Sequence, residues 1–163
     1  MHELVDKMKQ YIFPAISTYY KEPMVVTKGE GKYLYDDSGR QYLDFFGGIL
    51  TVSMGHCNPE ISERVAAQVK TLQHTSTVYV IKPMVELAEQ IAAIAPGKLQ
   101  KCFFLNSGTE ADETAVLLST IATGNDEIVA LRHAYSGRSA LAMSLTAHAP
   151  WRQGRGLWAN VKH

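Results

Sequence analysis

Two short apolar runs flank a segment of helical period in the last third of the chain, and this arrangement limits the fold more than any other feature. The first run is Cys102-Phe103-Phe104-Leu105, and the second is Glu127-Ile128-Val129-Ala130-Leu131. Neither alternates polar with apolar, which suits strands covered on both faces in a parallel sheet. Between them lie the small polar turn Asn106-Ser107-Gly108-Thr109-Glu110 and then Ala111, Ala115, Leu118 and Ala122 on one helical face, with Gly124 as the stop. A turn at Tyr135-Ser136-Gly137 follows the second run, and a helical stretch is expected from Arg138 to about Leu145. Strand, helix, strand, helix predicts an α/β domain with right-handed crossovers. The tail from Trp151 to His163 reads as irregular and ends on no capped element, as though the chain were cut there.

The first half reads differently. A short helix and an arm are expected in the first twenty residues, around Pro14. Strands are predicted at Met24–Thr27, Tyr33–Tyr35 and Gln41–Phe46. The turn Asp36-Asp37-Ser38-Gly39 joins the last two into an antiparallel hairpin. From Asn58-Pro59 the period becomes helical, with Ile61, Val65, Ala66 and Val69 on one face. Pro83 opens a second helix carrying Met84, Leu87, Ala88, Ile91 and Ala95, and Pro96-Gly97 closes it. Both stripes are read as core packing.

Composition narrows the function classes. Apolar residues make up 46% of the 163 and charged residues 20%, a globular balance that excludes a disordered tail. Sixteen basic side chains offset sixteen acidic ones, so there is no electrostatic footprint for nucleic acid. Two cysteines, Cys57 and Cys102, give no disulfide framework and no zinc-site spacing, and a reducing cytosol is expected. No run approaches a membrane span, and the opening residues lack the pattern of a signal peptide.

The chemistry concentrates at two turns. A strand–turn–helix junction with Ser107, Gly108 and Thr109 offers free backbone N–H groups at the positive end of a helix, which is an anion site. The same residues also form a capping box, Ser107 with Glu110, which needs no ligand. Tyr135 follows the next strand. Ligands of open α/β sheets collect beyond the carboxyl ends of strands, so its ring is expected near the same crevice, against a planar heteroaromatic group. An anion cradle beside an aromatic plate suggests a phosphorylated aromatic cofactor. A nucleotide-binding domain is disfavoured, because the Walker lysine and the dinucleotide glycines are absent. His56 and His74 read as turn-capping or packed side chains.

Asn106-Ser107-Gly108-Thr109-Glu110-Ala111-Asp112-Glu113-Thr114-Ala115 resembles the Asn-Ser-Gly-Thr-Glu-Ala-Asn-Glu-x-Ala signature of the class III, pyridoxal-phosphate-dependent aminotransferases. Three further segments agree in order. Gly31 to Phe46 looks like the family's N-terminal hairpin. Gly48-Ile49 and Gly55-His56-Cys57-Asn58-Pro59 match its Gly-Ile and Gly-His-x-x-Pro landmarks. Tyr135-Ser136-Gly137-Arg138-Ser139 matches its aromatic-x-Gly-Arg-Thr turn. The resemblance runs from about Tyr19 to the end and leans towards the alanine–glyoxylate type.

The resemblance implies the aspartate-aminotransferase-like fold (fold type I). Residues 1–57 would supply an arm and hairpin of the small domain, and residues 58–163 the start of the cofactor-binding domain. It implies that Ser107, Gly108 and Thr109 hold the phosphate of pyridoxal 5'-phosphate, that Tyr135 stacks on its ring, that Ser136 is a further cofactor-binding residue, and that Ile49 and Val80 line the substrate pocket. Asp112 and Ser136 depart from the usual Asn and the frequent His or Trp. A unit charge ~6 Å from the phosphate costs roughly 3 kcal/mol at an effective dielectric of about 20, so either Asp112 is expected to point away or cofactor affinity is expected to be lower than in relatives. The family's cofactor-binding lysine and its ring-nitrogen acid lie downstream of the aromatic turn, beyond His163. No catalytic residue and no metal ligand is therefore assigned here. The chain is expected to be the N-terminal third to half of an aminotransferase, inactive alone. Its expected partners are an amino acid, a 2-oxo acid and a second copy of itself, in the cytoplasm or the mitochondrial matrix. The rival reading is a non-catalytic cofactor-binding or dimerisation module.

Overall fold

The computed structural model describes residues 2–16, 18–153 and 160–163. It divides into two compact units, Met1–Tyr79 and Val80–His163.

The first unit opens with α1 (Glu3–Tyr11). His2 caps it: its Nδ1 accepts from the Leu4 amide at 3.1 Å, and its Nε2 meets Asp37 at 2.7 Å. This pair ties the helix to the hairpin turn, and Val5 is buried beneath it. Strands β1 (Val26–Glu30), β2 (Tyr33–Asp36) and β3 (Gln41–Leu43) form an antiparallel sheet in that order. The Asp36 turn is where the sequence puts it, and one carboxylate explains why. Asp36 Oδ1 accepts from the Ser38 hydroxyl (2.6 Å), the Ser38 amide (3.0 Å) and the Arg40 amide (2.9 Å), while Oδ2 accepts from the Tyr42 hydroxyl (2.7 Å). These donors, the Ser38 and Tyr42 hydroxyls foremost, hold the Asp36 carboxyl down at about 2. After β3 comes a four-residue helical turn, α2 (Gly47–Leu50), and then α3 (Pro59–Thr71), capped by Asn58.

The second unit contains α4 (Lys82–Ile94), with Pro83 in its first turn as expected, and α5 (Gly108–Thr123). Gly124 closes α5 in the left-handed conformation, its amide bonded to the Thr120 carbonyl. Then follow β4 (Ile128–Val129), α6 (Ala140–Leu145), a single 3-10 turn (Ala149–Trp151) and β5 (Val161–Lys162). Strands β4 and β5 pair in parallel, Ile128 with Val161 and Val129 with Lys162. The chain is thus α/β, a small antiparallel sheet followed by a short parallel one.

Several expectations need correction. The expected first strand, Met24–Thr27, begins two residues later and runs on to Glu30. Cys102–Leu105 joins no ladder among the described residues. An apolar run records burial; it does not name the neighbour that makes a segment a strand. The tail is not irregular throughout, because Val161 and Lys162 form β5; residues 154–159 of that stretch lie outside the described residues. The helical stripes of α3 and α4 are not a core either. Ile61, Val65, Val69, Leu87 and Ile91 are all exposed, because no described element covers those faces. Burial centres instead on α6, where Ala142, Ser144, Leu145 and Thr146 are buried.

Candidate functional site

Ser107 lies in extended backbone as the N-cap of α5, and its Oγ accepts from the Glu110 amide at 3.2 Å. Glu110 reaches back one residue further than a standard capping box, accepting from the Asn106 amide at 2.8 Å. The capping reading is therefore realised, but it does not use up the turn. The Ala111 amide is taken by the Ser107 carbonyl. The amides of Gly108 and Thr109, which an α-helix leaves without intrahelical acceptors, stay available at the positive end of the helix. Apart from its chain neighbours and its own helix backbone, a Cβ built on Gly108 meets no protein atom within 4 Å. The first turn thus opens onto free space, with two amides and two hydroxyls around it.

The turn at Tyr135–Arg138 meets this cradle. The Arg138 amide donates to Thr109 Oγ1 at 3.4 Å. Gly137 is buried with φ +125, and a Cβ there would lie 2.1 Å from Thr109 Oγ1. Only glycine lets the second turn lie this close to the first. Thr109 Oγ1 accepts from Arg138 and Ser107 Oγ accepts from Glu110, so both hydroxyl protons are left to be donated to an anion. Tyr135 is 51% exposed, with its ring edge-on to Trp151 at 6.3 Å between centroids. The Ser136 amide donates to Thr146 Oγ1 at 3.0 Å, and that fully buried hydroxyl donates to the Ala142 carbonyl at 2.9 Å. The α6 core thereby anchors the turn that carries the aromatic plate. Asp112 sits in the second turn of α5, half-buried.

The two substrate-pocket candidates fall in different units. Ile49 is 69% exposed on α2 in the first, and Val80 is 89% exposed at the start of the second. The sequence reading missed the group that organises the surroundings of Ile49. His56 Nε2 meets Asp44 Oδ2 at 2.7 Å, and Asp44 Oδ1 accepts the amides of Phe46 and Gly47, each at 2.9 Å. The Gly47 amide, followed by His56, pulls the Asp44 carboxyl below its ordinary range. His56 lies packed, as expected, but its hydrogen-bond partner twelve residues away carried no sequence signal. Among the described residues, no three His, Cys, Asp or Glu side chains gather as a metal site, and no helix is long and apolar enough to cross a membrane.

Residues 16–159 match the family model for class III aminotransferases. The chain is 39% identical over 149 residues to the alanine–glyoxylate aminotransferase 2 homolog 2 of Arabidopsis thaliana, a mitochondrial protein by name. That match takes in 91% of this chain and 31% of the relative. An acetylornithine aminotransferase of Archaeoglobus fulgidus is also 39% identical over 149 residues, covering 91% of this chain and 38% of its own length. Among solved structures, a phospholyase from Arthrobacter in complex with phosphoethanolamine superposes with a TM-score of 0.86 at 28% identity, across 98% of this chain and 37% of that one. The chain spans about a third of the length of these relatives. With the serine-glycine-threonine cradle, the aromatic turn and the family model agreeing over nearly its whole length, the chain belongs to the class III aminotransferases, a pyridoxal-phosphate-dependent family.

Proposed function

We propose that this chain is the N-terminal portion of an aminotransferase that moves an amino group between an amino acid or amine and a 2-oxo acid, and that it contributes the phosphate cradle and the ring-stacking residue. The observation that carries the reading is the meeting of the two turns at Thr109. The Arg138 amide and the missing side chain of Gly137 bring the Tyr135 turn against the α5 N-terminus. In this reading the amides of Gly108 and Thr109 and the hydroxyls of Ser107 and Thr109 bind the phosphate of pyridoxal phosphate. Tyr135 turns its ring to the pyridine face, and Ser136, a further cofactor-binding residue, is held in the turn by the hydrogen bond its amide donates to Thr146 Oγ1. When bound, pyridoxal phosphate supplies the electron-withdrawing ring needed to exchange an amino for an oxo group. Ile49 and Val80 would shape the pocket for the amino donor. Residues 1–57 would belong to the small domain and residues 58–163 to the cofactor-binding domain.

A homodimer is part of the proposal. Large apolar side chains stand exposed, among them Phe103 at 71%, Leu117 at 57% and Ile121 at 70%. That surface fits a chain covered by further polypeptide, whether its own or a partner's. Both cysteines are free, which suits a reducing compartment such as the cytoplasm.

The test compares this chain with the full-length protein that carries it. Each is mixed with pyridoxal phosphate and an amino acid, followed by absorbance, then reduced with borohydride and mapped by mass spectrometry. The full-length protein is expected to convert the cofactor to its amino form and to be trapped at one lysine. The chain alone is expected to do neither and to associate in solution. A stoichiometric adduct at one lysine of the chain alone, with turnover, overturns the assignment of the missing chemistry to later segments. A full-length protein that performs no half-reaction with any amino donor overturns the aminotransferase reading.

A further inference from the structure

The segment after β3 turns the wrong way for an L-peptide. Gly47, Gly48, Ile49 and Leu50 have φ of +55, +59, +61 and +65, a complete left-handed turn. Glycine accepts that region freely, but a branched isoleucine and a leucine do not, and such residues persist there only where the surroundings force them. Local bonds close the turn, with the Ile49 amide on the Phe46 carbonyl at 3.0 Å and the Val52 amide on the Gly47 carbonyl at 3.1 Å. They do not choose its hand.

What enforces the entry is Asp44. Its Oδ1 takes the amides of Phe46 and Gly47, so the two peptide planes leading into the turn are fixed by one carboxylate. The carboxylate is in turn fixed through Oδ2 by the His56 ring, and the two side chains are only 7% and 19% exposed. His56 cannot swing away, because its backbone is bridged to Gly31 in both directions, at 2.7 and 2.9 Å. Its ring also lies over Gly29, where an added Cβ would come within 2.9 Å of it. Gly47 and Leu50 of the turn line a cleft of about 890 Å³ in the first unit, together with Tyr33, Phe46 and Met54, while Ile49 stands beside that lining in sequence and is not part of it.

We infer that Asp44 and His56 form a positioning pair that holds the left-handed turn Gly47–Leu50 in place, and thereby sets where Ile49 meets the amino donor. The second half of this inference rests on the assignment of Ile49 to the substrate pocket. Neither residue is given contact with substrate; they act through the backbone of the turn. The strain in Ile49 and Leu50 makes the turn dependent on the pair, since without the clamp the segment relaxes to an ordinary conformation and carries Ile49 with it.

The experiment uses the full-length protein and reads amide hydrogen exchange over residues 44–56 together with steady-state kinetics on a small amino-acid donor. His56→Ala is expected to speed exchange at Phe46, Gly47, Ile49 and Leu50 by roughly tenfold or more. It is expected to raise KM for the donor by roughly fivefold, with kcat and cofactor retention nearly unchanged. Protection at the Gly31 and His56 amides serves as the folding control. His56→Asn, polar but too short to reach Asp44, gives the same readout if the alanine variant does not fold. His56→Gln, whose side-chain N–H can reach the carboxylate, restores both quantities. Adding Leu50→Gly to His56→Ala relieves the strain and restores part of the protection without restoring the pair. Unchanged exchange in His56→Ala, or no recovery with either His56→Gln or Leu50→Gly, overturns the positioning role. Faster exchange with unchanged KM overturns its link to substrate. A separate Ile49→Ala variant with unchanged KM shows that the pocket assignment is at fault, while the exchange result still decides the pair.

Discussion

Gly137→Ala puts the joint between the two turns under direct strain. The added methyl would stand 2.1 Å from Thr109 Oγ1, 2.9 Å from its Cβ and 3.1 Å from its Cα. Real carbon contacts begin well beyond the first of these distances, so Thr109 must retreat by about an ångström or the Tyr135 turn must open, an overpacking that typically costs 1–3 kcal/mol. The backbone adds to this, because φ +125 is essentially glycine-only and forcing alanine there costs on the order of 1–3 kcal/mol. Together the loss is about 2–6 kcal/mol, reduced by whatever the turn relaxes. A retreat of Thr109 moves its hydroxyl and an opened turn moves the Tyr135 ring, and a hydrogen bond from that hydroxyl to a charged group is worth about 1.5–3 kcal/mol. Cofactor affinity should therefore fall by roughly 10- to 150-fold, since each 1.4 kcal/mol is tenfold. The assay is an absorbance titration of the full-length apoprotein with pyridoxal phosphate, alongside its thermal melt without cofactor. A melting temperature within about 1 °C of the parent would refute the packing argument. A destabilised protein with unchanged cofactor affinity would refute the assignment of Thr109 as a phosphate ligand.

Tyr135 should act through its ring: Tyr135→Phe keeps most of the activity, whereas Tyr135→Ala forfeits stacking worth roughly 0.5–1.5 kcal/mol beyond area burial. Cofactor affinity measured on both variants decides, and a Phe variant as damaged as the Ala variant would show that the hydroxyl matters. Asp36 gives a pH prediction. Its folded carboxyl titrates at about 2, below the ordinary 3.8, so its contribution to the hairpin is complete above the ordinary value and is lost as pH falls from there through about 2. Amide exchange at Ser38 and Arg40 should quicken across that window, and Asp36→Asn should show the quickened exchange already at neutral pH.

What the sequence made legible was local. The Asp36 turn, the Pro59 and Pro83 helix starts, the Ser107 cap and the Gly124 stop all follow from chemistry within four residues, and the structure has each of them. What it hid was the pairing of distant segments. Val161 and Lys162 look like tail until they are seen beside β4, and Cys102–Leu105 looks like a strand although no described residue pairs with it. The apolar stripes of α3 and α4 read as core packing, and the structure leaves much of them exposed, because a stripe marks an apolar face without naming what packs on it. For the candidate site, the motif supplied Ser107 to Thr109 and Tyr135, while their meeting through Gly137 and Arg138 needed the fold. The Asp44–His56 pair was out of reach, because a carboxylate and an imidazole twelve residues apart are ordinary surface residues until the Gly31 bridge brings them together.

The most direct test of the phosphate cradle is Gly108→Val, with cofactor affinity and apoprotein stability measured on the same preparation. Beyond its chain neighbours and its own helix backbone, a Cβ on Gly108 touches no protein atom within 4 Å, and its φ is not left-handed, so the protein itself has little reason to object. Helix propensity does not penalise valine relative to glycine, so stability should change by less than about 1 kcal/mol. If the α5 N-terminus holds the phosphate, the valine occupies the ligand's own space and cofactor affinity falls at least tenfold, about 1.4 kcal/mol. Unchanged cofactor retention in a protein that keeps its stability would contradict the assignment of Ser107 to Thr109 as the anion site.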